Sequence, residues 1–163
     1  MTNLLVRFVG KVCETLLPIK HDIFYGNENS TIAICTLSSI NILEKISKSE
    51  LMTKVAITAR LFSENKGIET LLKYVLEHRK IKYIVLCGND TKGHLPGHAL
   101  LTLQKNGVDT KCRIIGAQGK DPVLDDVTQN EIYEFRKHVT LVDLIGTTEI
   151  NIIAERITNL QKA

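Results

Sequence analysis

His94 is the residue whose neighbours best fit it for chemistry. It sits in IKYIVLCGNDTKGHLPGHALLTLQ, residues 81–104, directly after Gly93 and three positions before Gly97. An imidazole is a general acid, a general base and the commonest metal ligand. Small residues on both sides leave room for something large and flat to approach. Cys87 and His98 lie close by, and with His94 they make up the donor types of a zinc site. Two histidines at i and i+4 share a metal well only when both lie on a regular helix. Pro96 disfavours the α conformation at Leu95, so His94 stands off the helix that carries His98, and no fourth ligand suggests itself. Ser38, Ser39 and Cys87 end strand-like runs, yet no GxSxG elbow accompanies them, and a hydrolase has little support. As a plain alternative, His94 is a loop histidine in solvent.

The elements that must hold these residues follow from local pattern. Ile81 to Cys87 is a nearly continuous apolar run, the mark of a strand buried on both faces. Gly88, Asn89 and Asp90 break it. Pro96 suits the first position of a helix, which then runs to Asn106 and stops at Gly107. His94 is thereby expected on a loop at the carboxyl end of a central strand, the edge at which open α/β sheets bind ligands. Thr31 to Leu37 reads as a second buried strand, with a helix near Ser49 and a third strand from Lys54 to Ala59. Ile68, Leu71, Leu72, Val75 and Leu76 recur at helical spacing up to Arg79. Later come a short strand at Arg113–Gly116, a helical turn over 123–127, a helix over 130–137, a strand over 139–142 and a closing helix over 147–160, capped by Thr147 or Thr148. Near the start, Leu4, Leu5, Phe8, Val9, Val12 and Leu16 share one helical face, which predicts an amphipathic helix within residues 1–17. Strands alternating with helices predict βαβ units: an α/β fold, Rossmann-like, with a mostly parallel sheet flanked by helices.

With 163 residues, the chain is most economically one domain, 1–163. Its net charge of +3 is small and its lysines are scattered, so nucleic acid is not an expected partner. Four cysteines without a CxxC pair read as thiols of a reducing, cytoplasmic compartment. No apolar run is long enough for a direct membrane span, and Arg7, Lys11 and Glu14 interrupt the N-terminal run too often for a signal peptide. A dinucleotide site would need GxGxxG, which is absent. The loops Gly88–Gly97 and Gly116-Ala117-Gln118-Gly119 could bring backbone N–H groups to a phosphate, or serve only as turns.

The segments TIAICTL, SENKGIETLL, IKYIVLCGNDTKGHLPGHALLTLQKNGVD, RIIGAQG and FRKHVTLVDLIG resemble the corrinoid-carrying subunit of tetrahydromethanopterin S-methyltransferase, the methanogen enzyme. The likeness runs over residues 16–160. Its most specific parts are CGxxxxGHxxGxxL, ENxGIE, and NGVD followed by IIGAxG. The resemblance implies a cobamide (cobalamin-type, cobalt) as cofactor, with His94 as lower axial ligand, attaching and leaving once per cycle. It further implies that Gly93, Leu95 and Gly97 let the macrocycle approach and that Gly88 turns the chain out of the strand. Thr36, Leu37 and Ser38 at the end of one strand, and Gly116, Ala117, Gln118 and Gly119 at the end of another, would line the same crevice. The implied role is a methyl carrier between methyl-tetrahydromethanopterin and coenzyme M, working with partner methyltransferase subunits and membrane-associated, if at all, through them. The alternative is a Rossmann-like ligand-binding or interaction module without methyl transfer. Better-known cobalamin modules use DxHxxG, whose aspartate orients the histidine. Here only the HxxG half agrees, and the nearest acid is Asp90, four residues before His94, a candidate for the orienting role that the motif does not itself assign. The family's membrane form continues into a spanning helix, so this chain is expected to be a soluble homologue or a form that ends before such an anchor.

Overall fold

The computed structural model describes residues 23–162, and the helix expected within 1–17 lies outside them. Five strands form one sheet: β1 (Ile23–Tyr25), β2 (Ile32–Cys35), β3 (Ile57–Ala59), β4 (Tyr83–Gly88) and β5 (Thr140–Ile145), in the spatial order β1-β3-β2-β4-β5. The last four are parallel; β1 runs antiparallel to β3, pairing Ile23 with Ala59 and Tyr25 with Ile57. Helices α1 (Ile40–Ser47), α2 (Lys66–Glu77), α3 (Pro96–Asn106), α4 (Gln129–His138) and α5 (Ile150–Leu160) connect or follow them, with a 3-10 turn at Glu50–Thr53. The α/β class and the mostly parallel sheet agree with the sequence.

Alternate residues of the central strands feed two separate cores. Ala33, Cys35, Ile57, Ile84 and Leu86 pack with Ile68 and Leu72 of α2, Leu100 and Leu103 of α3, and Ile132 and Phe135 of α4. Ile32, Ile34, Val85, Cys87 and Val142 face the other way, onto Ile42 and Ile46 of α1 and Ile153 and Ile157 of α5. Burial on both faces is why these strands read as unbroken apolar runs. Since α1 leaves β2 for one face and α3 leaves β4 for the other, the chain reverses its winding between these adjacent strands. A crevice opens at the carboxyl ends of strands at such a switch point.

Several expected elements differ in detail. The helix expected near Ser49 is only the 3-10 turn at Glu50–Thr53, capped by Ser49, while α1, which ends at Ser47 before it, has no counterpart in the sequence reading. The strand β1 has no counterpart in the sequence reading, because its two outer side chains are exposed and it is only three residues long. Arg113 to Gly116 is not a sheet strand: Ile114 and Arg113 make only isolated bridges, to Val108 and Val123. No helical turn forms over 123–127. Residues 107–128 instead make one long connection from α3 to α4, anchored by buried Ile114, Leu124 and Val127. The closing helix begins at Ile150, after Thr147 and Thr148, and Glu149 occupies its N-cap without a side-chain bond.

Candidate functional site

At the carboxyl ends of β2 and β4 the two following loops are laced to each other. After β2, Thr36 and Leu37 are fully buried, and Leu37 turns left-handed at φ 51°. The Ser38 N–H and hydroxyl both donate to the Asn89 carbonyl, at 3.1 and 2.6 Å, while the Asn89 N–H donates to Ser39 Oγ at 2.8 Å. Gly88 makes this closure possible. Its φ is +75°, and a Cβ there would lie 2.7 Å from the Thr36 carbonyl and 2.6 Å from Ser39 Oγ. Of the residues expected here, Thr36 and Leu37 thus have no side-chain surface for a ligand. Ser38 is partly exposed, but its hydroxyl is already engaged.

Beyond Asn89 the chain must enter α3. The Asp90 carboxylate accepts the N–H groups of Gly97 and His98, at 3.0 and 2.9 Å, and that of Thr91 at 3.0 Å. A carboxylate at a helix N-terminus satisfies donors that have no intrahelical partner and lies at the favourable end of the helix dipole. Asp90 therefore positions α3 and does not orient His94. Gly97 is small for a related reason: a Cβ would come within 3.0 Å of Asp90 Oδ2 and 2.9 Å of Leu37 Cδ1 and Ile145 Cδ1. Protein atoms fill the space expected for the approach of a ligand. Leu95 adopts the left-handed conformation as N-cap, held by its N–H on the Thr91 carbonyl at 2.8 Å. His94 accordingly stands off the helix, as Pro96 predicts.

The carboxylate that meets His94 is Glu64, from the loop between β3 and α2. Its Oε2 and Oε1 lie 2.8 and 3.1 Å from His94 Nδ1. The Glu64 side chain is 1% exposed and that of His94 49%. Burial pushes the Glu64 carboxyl up, but the N–H groups of Asp121 and of Glu64 itself, together with the His94 ring, outweigh it and hold its pKa below the usual carboxylate value. An ionised carboxylate only accepts, so Nδ1 is the donor, and in the neutral form of the ring Nε2 then carries the lone pair. The result is an oriented imidazole with its second nitrogen free of the carboxylate. Glu64 opens the ENxGIE segment of the family resemblance, but nothing in its local pattern assigns it this role.

The 107–128 connection closes over the pair. Asp121 N–H donates to Glu64 Oε1 at 2.9 Å. One helical turn on, buried Glu69 accepts the Asp126 N–H at 2.7 Å, and Lys66 bridges Glu69 and Asp126. A Cβ at Gly119 would lie 2.3 Å from the His94 carbonyl, so Gly119 reaches the His94 backbone, whereas Gly116 lies against Thr102 and Asn106 of α3 and Ala117 packs on the core beneath. Gly93 has φ +82°, and among the described residues only the Lys120 side chain lies within 4 Å of the position its Cβ would take. It is exposed and open. The zinc trio does not assemble. Cys87 is fully buried in the core on the α1/α5 face, whereas α3, which carries His98, packs on the other. Among the described residues no cluster of histidine, cysteine and acids could hold a metal ion unaided. Burial pushes both Cys35 and Cys87 up to about 12. They are thiols, not thiolate ligands.

Residues 11–163 match the MtrA family, described as the A subunit of tetrahydromethanopterin S-methyltransferase. Among similar proteins, the A subunit of the "Putative methyltransferase Mtx" of Methanosarcina acetivorans is 33% identical over 85% of this chain and 66% of its own length. The A 2 subunit of tetrahydromethanopterin S-methyltransferase of Methanothermobacter thermautotrophicus is 34% identical over 83% of this chain and 72% of its own. Its counterpart of the same name in Methanothermobacter marburgensis is 32% identical over 83% and 71%. The chain spans about two thirds of the length of these relatives.

Proposed function

Starting from the fact that the chain belongs to the MtrA family of tetrahydromethanopterin S-methyltransferase subunits, we propose that it is the cobamide-binding methyl carrier of a methyltransferase. The observation that carries this reading is the His94–Glu64 pair at the switch point, with Nδ1 on a buried carboxylate and Nε2 free of it. When bound, the cobamide supplies the cobalt that accepts a methyl group and passes it on. The proposed direction is from methyl-tetrahydromethanopterin to coenzyme M, with partner subunits activating donor and acceptor.

The donor set suits such a group. A neutral imidazole nitrogen is a good ligand for an oxidised first-row metal. A carboxylate on the far nitrogen fixes the ring and raises its basicity, the arrangement usual behind a metal-bound histidine. One protein ligand falls short of what a bare ion needs but suffices where a macrocycle brings the other donors. Glu64 holds the Nδ1 proton, and the Asp121 N–H steadies Glu64. Gly93 leaves the approach to the ring open, and the Gly119 backbone packs on that of His94 beside it.

The test is to mix the purified chain with aquocobalamin and pass it through gel filtration. The expected result is one cobalamin retained per chain, with the absorption spectrum of a histidine-ligated cobalt that His94→Ala abolishes. Loss of cobalamin from the wild-type chain, or an unchanged spectrum in the variant, would overturn the reading.

A further inference from the structure

The 107–128 connection brings one more charge to the site than the proposed chemistry uses. It is fastened there at two nearly adjacent points: Gly119 packs on the His94 carbonyl, and the Asp121 N–H donates to Glu64 Oε1 at 2.9 Å. Lys120 lies between them, so its backbone is held to both members of the His94–Glu64 pair. Its side chain runs over Gly93, where a Cβ would lie 3.6 Å from Lys120 Cε and 4.0 Å from Nζ. Gly93 leaves the approach to the ring open, so the ammonium stands at the edge of that approach. Lys120 is exposed, and among the described residues its Nζ has no hydrogen-bond or ion-pair partner. By contrast Lys66, which also reaches this connection, is engaged by Glu69 and Asp126.

We propose that Lys120 is a specificity-determining residue of the cofactor site and that it takes the phosphodiester of a complete cobamide. The inference rests on the cobamide reading above and adds to it which corrinoids the site prefers. A corrinoid brings to His94 a flat macrocycle whose side-chain amides are neutral. The phosphodiester that links the macrocycle to its nucleotide is the anionic group of a complete cobamide, and a cobinamide, the same macrocycle without the nucleotide, lacks it. An ammonium binds phosphate as a compact point charge, and a hydrogen bond between ions is about twice as strong as a neutral one. Anchors at 119 and 121 hold the Lys120 backbone in place beforehand, which lowers the ordering cost of the contact. Solvent screens an ion pair made at an exposed site. Lys120 therefore tunes the choice among corrinoids, while His94 carries the ligation.

Spectral titrations of the full chain with aquocobalamin and with diaquocobinamide test this. The two ligands differ in the base that His94 must displace as well as in the phosphate, so the informative quantity is the change in their affinity ratio on substitution. Lys120→Gln is expected to weaken aquocobalamin binding by about 5–10-fold and to leave diaquocobinamide binding unchanged. Lys120→Arg should keep the wild-type ratio. Lys111→Gln removes the same charge from the same connection beyond the carboxyl end of α3, where the Lys111 N–H donates to Asp109 Oδ1 at 2.8 Å, and should keep the ratio as well. An equal loss for both corrinoids in Lys120→Gln would make the residue structural, and a matching shift in Lys111→Gln would reduce the effect to net charge; either result overturns the inference. Binding of both corrinoids with an unaltered ratio in Lys120→Gln overturns this inference alone. Binding of neither by the wild-type chain overturns the cobamide reading and this inference with it.

Discussion

Glu64 and His94 are 30 residues apart in sequence, and their side chains meet at 2.8 Å, one 1% and the other 49% exposed. The buried member fixes the exposed one. Removing the charge of the buried member should therefore be felt at the exposed nitrogen. Glu64→Gln is expected to weaken aquocobalamin binding by about 10–100-fold, read by spectral titration, without preventing ligation at saturating cofactor. Unchanged affinity would mean that the carboxylate does not act through the ring.

Asp90 and Glu64 separate cleanly by what they hold. Asp90→Ala removes the carboxylate from the α3 N-terminus and should lower stability by about 1 kcal/mol in urea unfolding. It should cost far less cobalamin affinity than Glu64→Gln. The reverse order would restore Asp90 as the orienting acid.

Stability should depend on pH through Glu64 in a definite direction. Its carboxyl is held low in the folded chain, so the stabilisation is fully present above the unfolded value of about 4.3 and is lost as pH falls through the folded value. Asp109, Asp126 and Glu131 are also held low and contribute to acid sensitivity. The informative quantity is therefore the difference between wild type and Glu64→Gln. That gap should be widest near pH 7 and shrink below pH ~4.3. A gap independent of pH would contradict the assignment.

Two glycines with similar φ should respond differently to alanine. At Gly146, φ +88°, a Cβ meets no atom of the described residues within 4 Å, so the cost there is conformational strain, about 1–2 kcal/mol. At Gly88 the same strain is joined by overlap with the Thr36 carbonyl and Ser39, for a total of about 2–5 kcal/mol. Equal urea midpoints for the two variants would show that the two loops do not close on each other as described.

Thiol chemistry checks the sheet parity. Cys35 and Cys87 are buried and pushed up to about 12, so Ellman's reagent at pH 8 should leave both unmodified until the chain is unfolded. Partly exposed Cys112 should react in the native chain. Rapid native labelling of Cys87 would contradict its burial against α1 and α5.

Much of the site was legible locally. Pro96 dictates where α3 starts and leaves His94 outside it; Gly88 and Gly107 carry the turns their positive φ values require; apolar runs identify β2 and β4. These features rest on neighbours within a few residues, and the sequence determines them by itself. The face of Cys87 was not legible, because a strand buried on both sides carries no alternation from which to read parity. Gly97 reads from sequence as space for a ligand, whereas Leu37 and Ile145 fill that space in the fold. Above all, Glu64 belongs to a polar turn that reads as solvent-exposed. It becomes a buried, ionised partner of His94 only because β2 lies between β3 and β4, bringing their following loops to one edge, and because the 107–128 connection folds over them and donates the Asp121 N–H. Which carboxylate holds the histidine is a property of strand order and loop closure, and only the tertiary structure decides it.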